Sequence, residues 1–221
     1  MCEPPPALDP LRLGPSTPRR RIRGRNFTKA DILVHDLRGS PVVVKDYRSR
    51  GFLIRNTVGR YLTNREVRAY RAASGLDFLP KFVARLGPFA LVLEYVEACP
   101  LAQWTGHELD DDFFDVLEAH VAALHARGIA MGDLHHRDVL VAVNGSIYLV
   151  DLAMAWVVEE RSGRWRHAVF RRLRNLDLLS VARMRARWTG RDTREDADPS
   201  TFVWHARGRW VKGLWDRLRG R

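Results

Sequence analysis

Four short apolar segments lie in the first hundred residues: 31–36, 42–45, 82–85 and 89–94. Short runs rich in β-branched and aromatic residues between turn sequences are typical of strands. Successive side chains of a strand point to opposite faces, so Val42 and Val44 share one face and Val43 and Lys45 the other. Arg38-Gly39-Ser40 separates the first two and Gly87-Pro88 the last two, and both are typical turn sequences. We therefore predict a small antiparallel sheet.

One helical pattern interrupts these strands. Thr63-Asn64-Arg65-Glu66 has the form of a capping box, and the pattern continues to about Ala73, before Gly75. If the helix begins at this box, Glu66 only satisfies a backbone amide at the helix start. If it begins earlier, near Val58, Glu66 lies in mid-helix and its carboxylate is free to reach another element.

A period of 3.6 residues is typical of the second half of the chain. Asp110 is the predicted N-cap of a helix that continues to Arg127, before Gly128. Its predicted buried face consists of Phe113, Leu117, Val121 and Leu124. Residues 171–187 predict a second helix, with Leu173, Leu176, Leu179 and Val181 inward. Residues 201–219 predict a third, which either packs on the rest of the protein or lies on an anionic membrane surface.

The order of these elements predicts an α+β fold of two lobes. Residues 26–97 form an antiparallel sheet lobe with one helix, and residues 98–221 form a mainly helical lobe. Residues 1–25, with Pro4-Pro5-Pro6 and many arginines, offer little apolar surface to bury, so we expect a mobile basic arm. The arm is either a solvated tail or a tether to an anionic surface.

A hairpin lies between the first two helices of the second half. Asn144-Gly145 separates two apolar runs, which is a strong signal for a two-residue turn with φ > 0 at both positions. With that turn, Val143 faces Ser146 and Asp138 faces Asp151. Directly opposed residues point to the same face of the pair, with Cβ atoms roughly 5 Å apart.

Two opposed carboxylates repel each other unless a cation lies between them. Carboxylate oxygens at that separation suit Mg²⁺, which takes one or two carboxylates and completes its shell with water and phosphate oxygens. A third acid, Asp133, lies in the loop just before the hairpin. Asp138 and Asp151 are therefore predicted metal ligands, with Asp133 beside them.

The net charge of the chain is +11, and arginine supplies most of it. The only lysines are Lys29, Lys45, Lys81 and Lys212, so a lysine in an apolar strand is notable. The charge favours anionic partners such as nucleotide phosphates, nucleic acid, acidic lipid or phosphorylated glycans. Two cysteines, no signal sequence and no uninterrupted apolar span predict a cytoplasmic protein.

The order of strand lysine, helix glutamate, strand and acidic hairpin resembles the protein-kinase-like fold. The resemblance rests on Lys45, on Glu66, on the run from Leu91 to Glu97, and on Gly132-Asp133 followed by Asp138 and Asp151. It covers residues 30–187. Gly132-Asp133-Leu134-His135 and the small size are most similar to bacterial lipopolysaccharide-core (Kdo/heptose) kinases and to RIO-like atypical kinases.

The resemblance implies ATP and Mg²⁺ or Mn²⁺ as cofactors and a role for each residue in phosphoryl transfer. Lys45 binds the α/β-phosphates and is held by Glu66. Glu94 and Val96 meet the adenine through backbone groups, and Leu93 packs behind the base. Asp133 orients or deprotonates the acceptor hydroxyl, and Asp138 and Asp151 hold the metal. Asp177 either anchors the catalytic loop or is an ordinary surface residue.

The chain departs from the family pattern in several places. Asp138 stands in place of Asn, Asp151-Leu152-Ala153 in place of Asp-Phe-Gly, and Met131 in place of His. No glycine-rich loop precedes Lys45, so we expect the nucleotide to be covered by Arg20 to Arg25 or by Lys29. No Ala-Pro-Glu element follows Asp151, which favours a glycan acceptor or an atypical protein target over a docked peptide.

The resemblance implies a phosphotransferase whose acceptor is a lipopolysaccharide-core sugar, which fits a basic protein near the inner face of a membrane. The alternatives are a pseudokinase that binds a nucleotide without turnover, and an atypical Ser/Thr protein kinase. A nucleic-acid partner is disfavoured because the aromatic residues are predicted to be buried. A zinc site at His135 and His136 is also disfavoured because neither a cysteine nor a third ligand lies at a suitable spacing.

Overall fold

The computed structural model describes residues 18, 20–24, 29–104 and 109–189. The predicted third helix at residues 201–219 and most of the predicted basic arm lie outside these residues. The strands are β1 (Arg20–Ile22), β2 (Asp31–Leu37), β3 (Ser40–Asp46), β4 (Phe82–Leu86), β5 (Ala90–Glu94), β6 (Ala98–Pro100), β7 (Ile129–Ala130), β8 (Val139–Ala142), β9 (Ile147–Leu149) and β10 (Trp156–Val157). The helices are α1 (Phe52–Ile54), α2 (Arg60–Ala72), α3 (Asp111–Ala126) and α4 (Arg164–Thr189).

The first half forms a five-stranded antiparallel sheet in the order β1-β2-β3-β5-β4. All four predicted strands are present. In β3 and β5, Lys45 pairs with Leu91 and Val43 with Leu93, so these side chains share one face of the sheet. Because β5 is buried on both faces, it is nearly continuously apolar.

The strand β1 lies inside the segment predicted to be a mobile arm, and that prediction was wrong for residues 20–22. All three of its residues are exposed, so the sequence contains no apolar run that would predict the strand. It is held by antiparallel pairing with β2. It is also held by the buried Asp31, which accepts hydrogen bonds from Arg21 (2.9 Å), from the backbone of Gly24 (3.1 Å) and from Ser49 (3.0 Å), and pairs with Arg50.

The helix that carries Glu66 begins earlier than its capping box. α1, a π-helical turn at Arg55–Gly59 and α2 follow one another without a break, so Thr63 lies inside the helix. Gly59 allows this path, because a Cβ atom there would lie 2.8 Å from the Cβ of Tyr47. Of the two alternatives, the earlier start is confirmed, and Glu66 is in mid-helix with 1% of its surface exposed.

The second half is mainly helical. Asp110 caps α3 by accepting a hydrogen bond from the backbone of Phe113 at 3.0 Å, as predicted. The buried face of α3 contains Phe114 in place of the predicted Phe113, together with Leu117, Val121 and Leu124. α4 begins at Arg164, earlier than predicted, and its buried residues are Phe170, Asp177, Val181 and Met184. The predicted α+β architecture is confirmed.

The hairpin β8–β9 has a different register from the predicted one. Val141 pairs with Ile147, and the backbone amide of Ala142 donates to the carbonyl of Ser146 at 2.9 Å, which leaves a three-residue loop. Among the described residues, positive φ in this loop occurs at Gly145 (83°) and not at Asn144. Only one position therefore has the left-handed conformation, as in a three-residue loop that ends in glycine. The prediction that Asp138 faces Asp151 was wrong, because Asp138 lies opposite Val150, whose amide donates to its carbonyl at 2.8 Å.

One apolar core joins the two halves. It combines Tyr70 of α2 and Leu91 of β5 with Leu117 of α3 and with Leu149 and Leu152 of the hairpin region. The residues around Lys45 and those around Asp151 are therefore packed on a common core. Among the described helices, none has the length and apolar character required to cross a membrane.

Candidate active site

Three charged residues from distant parts of the chain meet at the boundary of the two halves. The ammonium of Lys45 donates to Glu66 Oε1 at 2.6 Å and to Asp151 Oδ1 at 3.0 Å. The side chains of Lys45 and Glu66 are 13% and 2% exposed, whereas that of Asp151 is 36% exposed. The structure thus brings together three of the predicted site residues, with Asp151 on the open side.

The charged groups of this cluster shift one another's pKa values to different extents. Burial opposes the charge on Lys45, but the carboxylates of Asp151 and Glu66 outweigh it and raise its pKa well above the usual value. Lys45 lowers the pKa of Asp151 more than burial raises it. Burial, and then the nearby Asp151, raise the pKa of Glu66 against the opposing effect of Lys45. Lys45 is therefore charged at neutral pH, and the cluster holds more acid than base.

Asp138 adds another carboxylate to the same place. Its Oδ2 accepts a hydrogen bond from the backbone amide of His135 at 3.2 Å, and its own amide donates to the carbonyl of His135 at 2.8 Å. Burial, together with the neighbouring charges of Asp151 and Asp133, raises the pKa of Asp138 to about 7 against the opposing charge of Lys45. Asp138 and Asp151 are thus close enough to repel each other although the hairpin does not pair them directly.

The backbone of Asp151 explains how the two acids still meet. Asp151 has φ 68° and ψ 65°, a left-handed conformation that is uncommon for residues other than glycine. Such a conformation costs on the order of 1 kcal/mol or more and persists only where the surroundings enforce it. Here the bond to Lys45 and the turn at Leu152–Met154 that follows enforce it.

This donor set fits Mg²⁺ bound together with phosphate. No group of three or more His, Cys, Asp or Glu residues suited to a metal ion occurs among the described residues. A site of two carboxylates instead requires phosphate oxygens and water to complete the octahedral shell of Mg²⁺. Burial is the largest cause of the raised pKa of Asp138, and the neighbouring charges of Asp151 and Asp133 add to it, so a bound cation would favour the ionised carboxylate.

The loop that carries the exposed Asp133 is fixed from below. Asp177, with 1% of its surface exposed, accepts hydrogen bonds from the backbone amides of Met131 and Gly132, both at 2.8 Å. Its Oδ2 also lies 3.0 Å from Nε2 of His125. Of the two alternatives for Asp177, the loop anchor is therefore the one the structure contains.

Sequence reasoning missed His125. It lies on the buried face of α3, one residue after Leu124, and its ring contacts Phe170 edge to face at 6.3 Å. The imidazole of His125, which belongs to α3, thus contacts the aspartate that anchors the loop. A polar residue inside an apolar helical stripe was the available signal.

The residues predicted to meet adenine lie at the end of β5. Leu93 is buried on the same face as Leu91, which pairs with Lys45. The amide of Glu94 donates to the carbonyl of Lys81 at 2.9 Å, and Val96 is half-buried in the connection to β6. The contact of these residues with adenine stays a prediction.

A further cation acts on the cluster. The exposed Lys29, just before β2, adds to the effect of Lys45 in lowering the pKa of Asp151, and it partly offsets the burial that raises the pKa of Glu66. Strand β2, which Lys29 precedes, pairs with β3, the strand that carries Lys45. Lys29 therefore has a position from which its charge reaches the open side of the cluster.

Comparison with known proteins places this geometry in a familiar fold. No protein-family model matches the chain. The structure is similar to that of the Rio2 kinase from Chaetomium thermophilum, solved as an ADP/Mg²⁺-phosphoaspartate complex, with a TM-score of 0.58 and 19% sequence identity. The similarity covers 82% of this chain and 58% of the Rio2 chain, so this chain spans little more than half of that protein. The protein-kinase-like fold is confirmed, and a particular closeness to lipopolysaccharide-core kinases stays a prediction.

Proposed function

We propose that the protein is an ATP-dependent phosphotransferase that moves the γ-phosphate of ATP to a hydroxyl group, with Mg²⁺ or Mn²⁺. The observation that carries the proposal is the convergence of Lys45, Glu66 and Asp151, with Asp138 beside them, in a protein-kinase-like fold. The similar Rio2 structure contains ADP and Mg²⁺, which supports the choice of nucleotide and metal.

Each residue has a distinct role in this proposal. Lys45, positioned by Glu66, neutralises phosphate charge, since catalysis of phosphoryl transfer depends mainly on position and electrostatics. Asp138 and Asp151 would hold the metal ion, which would neutralise negative charge on the phosphates. The exposed Asp133 binds the acceptor hydroxyl, in a loop whose backbone Asp177 fixes.

The transfer step follows from these positions. The acceptor oxygen forms a bond to the γ-phosphorus, while the bond from that phosphorus to the β,γ-bridging oxygen breaks and ADP leaves. The proton of the acceptor hydroxyl passes to the carboxylate of Asp133. Because Asp133 is exposed, its carboxylate is accessible to an acceptor from solvent.

For the acceptor, we propose a sugar hydroxyl of the lipopolysaccharide core. The net charge of +11 suits an anionic glycan or lipid. The connection between Asp151 and α4 contains only the turn at Leu152–Met154, the two residues of β10 and a tight turn closed by a hydrogen bond from Ser162 to Glu159. This connection offers little room for a peptide-docking segment, which favours the glycan over the alternative of an atypical protein kinase.

The second candidate is a pseudokinase, and one observation favours it. Asp138 occupies the Asn position and has a pKa of about 7, so part of the site is protonated at neutral pH when no cation is bound. A nucleotide could then bind without productive metal coordination. The two candidates differ in their response to metal.

A thermal-shift titration separates them. We expect ATP with Mg²⁺ to raise the melting temperature more than ATP with EDTA, and the Asp151→Ala variant to lose that difference. Turnover of ATP, measured on candidate lipid-linked glycans and proteins, should be lost in the same variant and retained in Asp112→Ala, which removes an exposed carboxylate from the first turn of α3. Stabilisation by ATP that is independent of Mg²⁺, without turnover, would favour the pseudokinase.

A further inference from the structure

The residue next to Glu66 connects the two halves of the site. Arg65 extends from α2 to the segment after Asp151, where its Nε donates to the carbonyl of Ala155 at 2.8 Å. Its terminal nitrogen donates to the carbonyl of Met154 at 2.7 Å. A planar guanidinium makes two such bonds from one rigid group, which a lysine ammonium cannot reproduce.

Two aromatic rings enclose this guanidinium. Its central carbon lies 5.9 Å from the ring centre of Tyr61 and 5.7 Å from that of Trp156. A third hydrogen bond runs from Arg65 to the hydroxyl of Tyr61 at 3.1 Å. Trp156 is itself fixed by a hydrogen bond from its indole nitrogen to the carbonyl of Arg166 at 3.2 Å. The orientation of the Arg65 guanidinium is therefore fixed by two aromatic rings and by its hydrogen bonds.

The anchored segment continues directly from the metal-site acid. Met154 ends the turn that begins after Asp151, and Trp156 and Val157 pair with Ala130 and Ile129 just before the catalytic loop. A displacement of α2 away from this segment would separate Glu66 from Lys45 on one side. A displacement of the segment would separate Asp151 from Lys45 on the other.

We propose that Arg65 is the positioning residue that keeps Glu66 and Asp151 together on Lys45. The site is then assembled by a permanent internal contact, with no need for a modified loop to bring α2 into place. Phosphate-independent assembly of this kind suits a chain whose connection between Asp151 and α4 is short. The inference concerns the site of the proposed function, but its first test needs no catalysis.

Arg68 provides the matched control. It lies one turn further along α2 and also reaches the other half of the protein, where it pairs with Glu159 at 2.5 Å. The side chains of Arg68 and Glu159 are 52% and 68% exposed, and exposed ion pairs contribute little to stability. Arg68→Ala therefore removes a guanidinium and a contact between the halves without removing the backbone bonds that Arg65 makes.

The first test is the reactivity of the Lys45 amine toward an acylating reagent, followed by mass spectrometry without nucleotide. Loss of two hydrogen bonds from a charged donor should increase the labelling rate of Lys45 in Arg65→Ala on the order of tenfold. Arg65→Lys should give an intermediate rate, and Arg68→Ala should match the unmodified protein. If Arg65→Ala does not fold, Arg65→Lys decides the question.

Equal labelling of Lys45 in the folded Arg65 variant and in Arg68→Ala would overturn the proposal. The second test is ATP turnover, where Arg65→Ala should reduce kcat and raise KM for ATP while Arg65→Lys partly restores both. A protein that turns over no ATP would still give the labelling result, so failure of the proposed function and failure of this inference are distinguishable.

Discussion

The two sides of the site differ in whether their charges are satisfied within the protein. On one side, Lys45 and Glu66 form a buried pair with a short hydrogen bond, and both are almost inaccessible to solvent. On the other side, Asp138, Asp151 and the exposed Asp133 place several carboxylates close together with Lys45 as their shared cation. The first side is complete without a ligand, and the second requires a cation. The difference predicts that substitutions on the first side change mainly stability, and those on the second mainly metal dependence.

The largest effect is expected when Lys45 is removed. Lys45→Met leaves Glu66 buried without its partner, and an uncompensated buried charge costs about 3–5 kcal/mol of unfolding free energy. We expect urea unfolding at neutral pH to show a loss of this size, together with loss of ATP turnover. The double variant Lys45→Met/Glu66→Gln should recover much of the stability and none of the turnover.

That double variant also tests the comparison itself. If it were as unstable as Lys45→Met alone, the pairing of Lys45 with Glu66 would not be the reason for the loss. The control variant Arg68→Ala removes an exposed ion pair. Its unfolding free energy should therefore differ from that of the unmodified protein by less than about 1 kcal/mol.

The second prediction concerns Asp177, which anchors the loop that carries Asp133. Asp177→Asn keeps the shape of the side chain but removes the charge that two backbone amides and His125 contact, and bonds of this kind contribute about 1.5–3 kcal/mol each when charged. We expect a loss of about 2–3 kcal/mol in unfolding free energy and a larger fall in kcat than in ATP affinity, because Asp133 loses its position.

Asp115→Asn is the control for this substitution, since Asp115 is 65% exposed and pairs with Arg185 on the surface. Isothermal titration with ATP and Mg²⁺ would separate binding from turnover. If Asp177→Asn lost nucleotide binding and turnover to the same extent, the substitution would have disrupted the fold in general.

Much of the fold could be predicted because its signals are local. Short apolar runs between turn sequences predict the strands, and the cap at Asp110 predicts the start of α3. The exposed strand β1 has no such signal, since its pairing with β2 and the ion pairs of Asp31 hold it. The predicted register of the hairpin was wrong because Asn144-Gly145 fits two loop lengths. The choice between them depends on a backbone angle at Asn144 that the sequence does not determine.

The candidate site was predictable as residue types in an order, and less so as contacts. Asp151 was predicted from the acidic hairpin, although the register of that hairpin differs, and Lys45 was notable as a lysine in an apolar strand. The family resemblance, which fixes spacing along the chain, then gave roles to both residues and to Glu66. Arg65 and His125 were missed because each acts on atoms from another element: Arg65 on the carbonyls of residues 154 and 155, and His125 on Asp177. Such contacts follow from packing: the polar His125 in an apolar stripe signals a buried contact, but the local pattern does not identify the partner.

The third prediction uses pH to separate the two sides. The pKa of Asp138 is raised to about 7, mainly by burial, so the folded protein holds this proton more tightly than the unfolded chain does. A raised carboxyl pKa contributes stability that is present below the unfolded value of about 4 and is lost as pH rises through about 7. In EDTA, unfolding free energy should therefore decrease over this range, and Asp138→Asn should remove that part of the decrease.

Mg²⁺ with ATP should reverse the effect, because a bound cation favours the ionised carboxylate. We expect the ATP-dependent rise in melting temperature to increase from pH 6 to pH 8 in the unmodified protein and to change less in Asp138→Asn. An identical pH profile of stability in the two proteins would show that Asp138 does not titrate in this range.

The smallest effect is expected at Lys29, which acts on the site through charge alone. Lys29 is exposed and lowers the pKa of Asp151 and Glu66, and no glycine-rich loop precedes Lys45. We expect Lys29→Ala to raise KM for ATP by roughly twofold to fivefold, in keeping with one screened charge near phosphate, while the melting temperature stays unchanged. Lys29→Arg should retain the affinity, and the difference between Lys29→Ala and the unmodified protein should shrink in high salt. A salt-independent difference would contradict this electrostatic role, because the effect of an exposed charge on phosphate weakens as salt screens it.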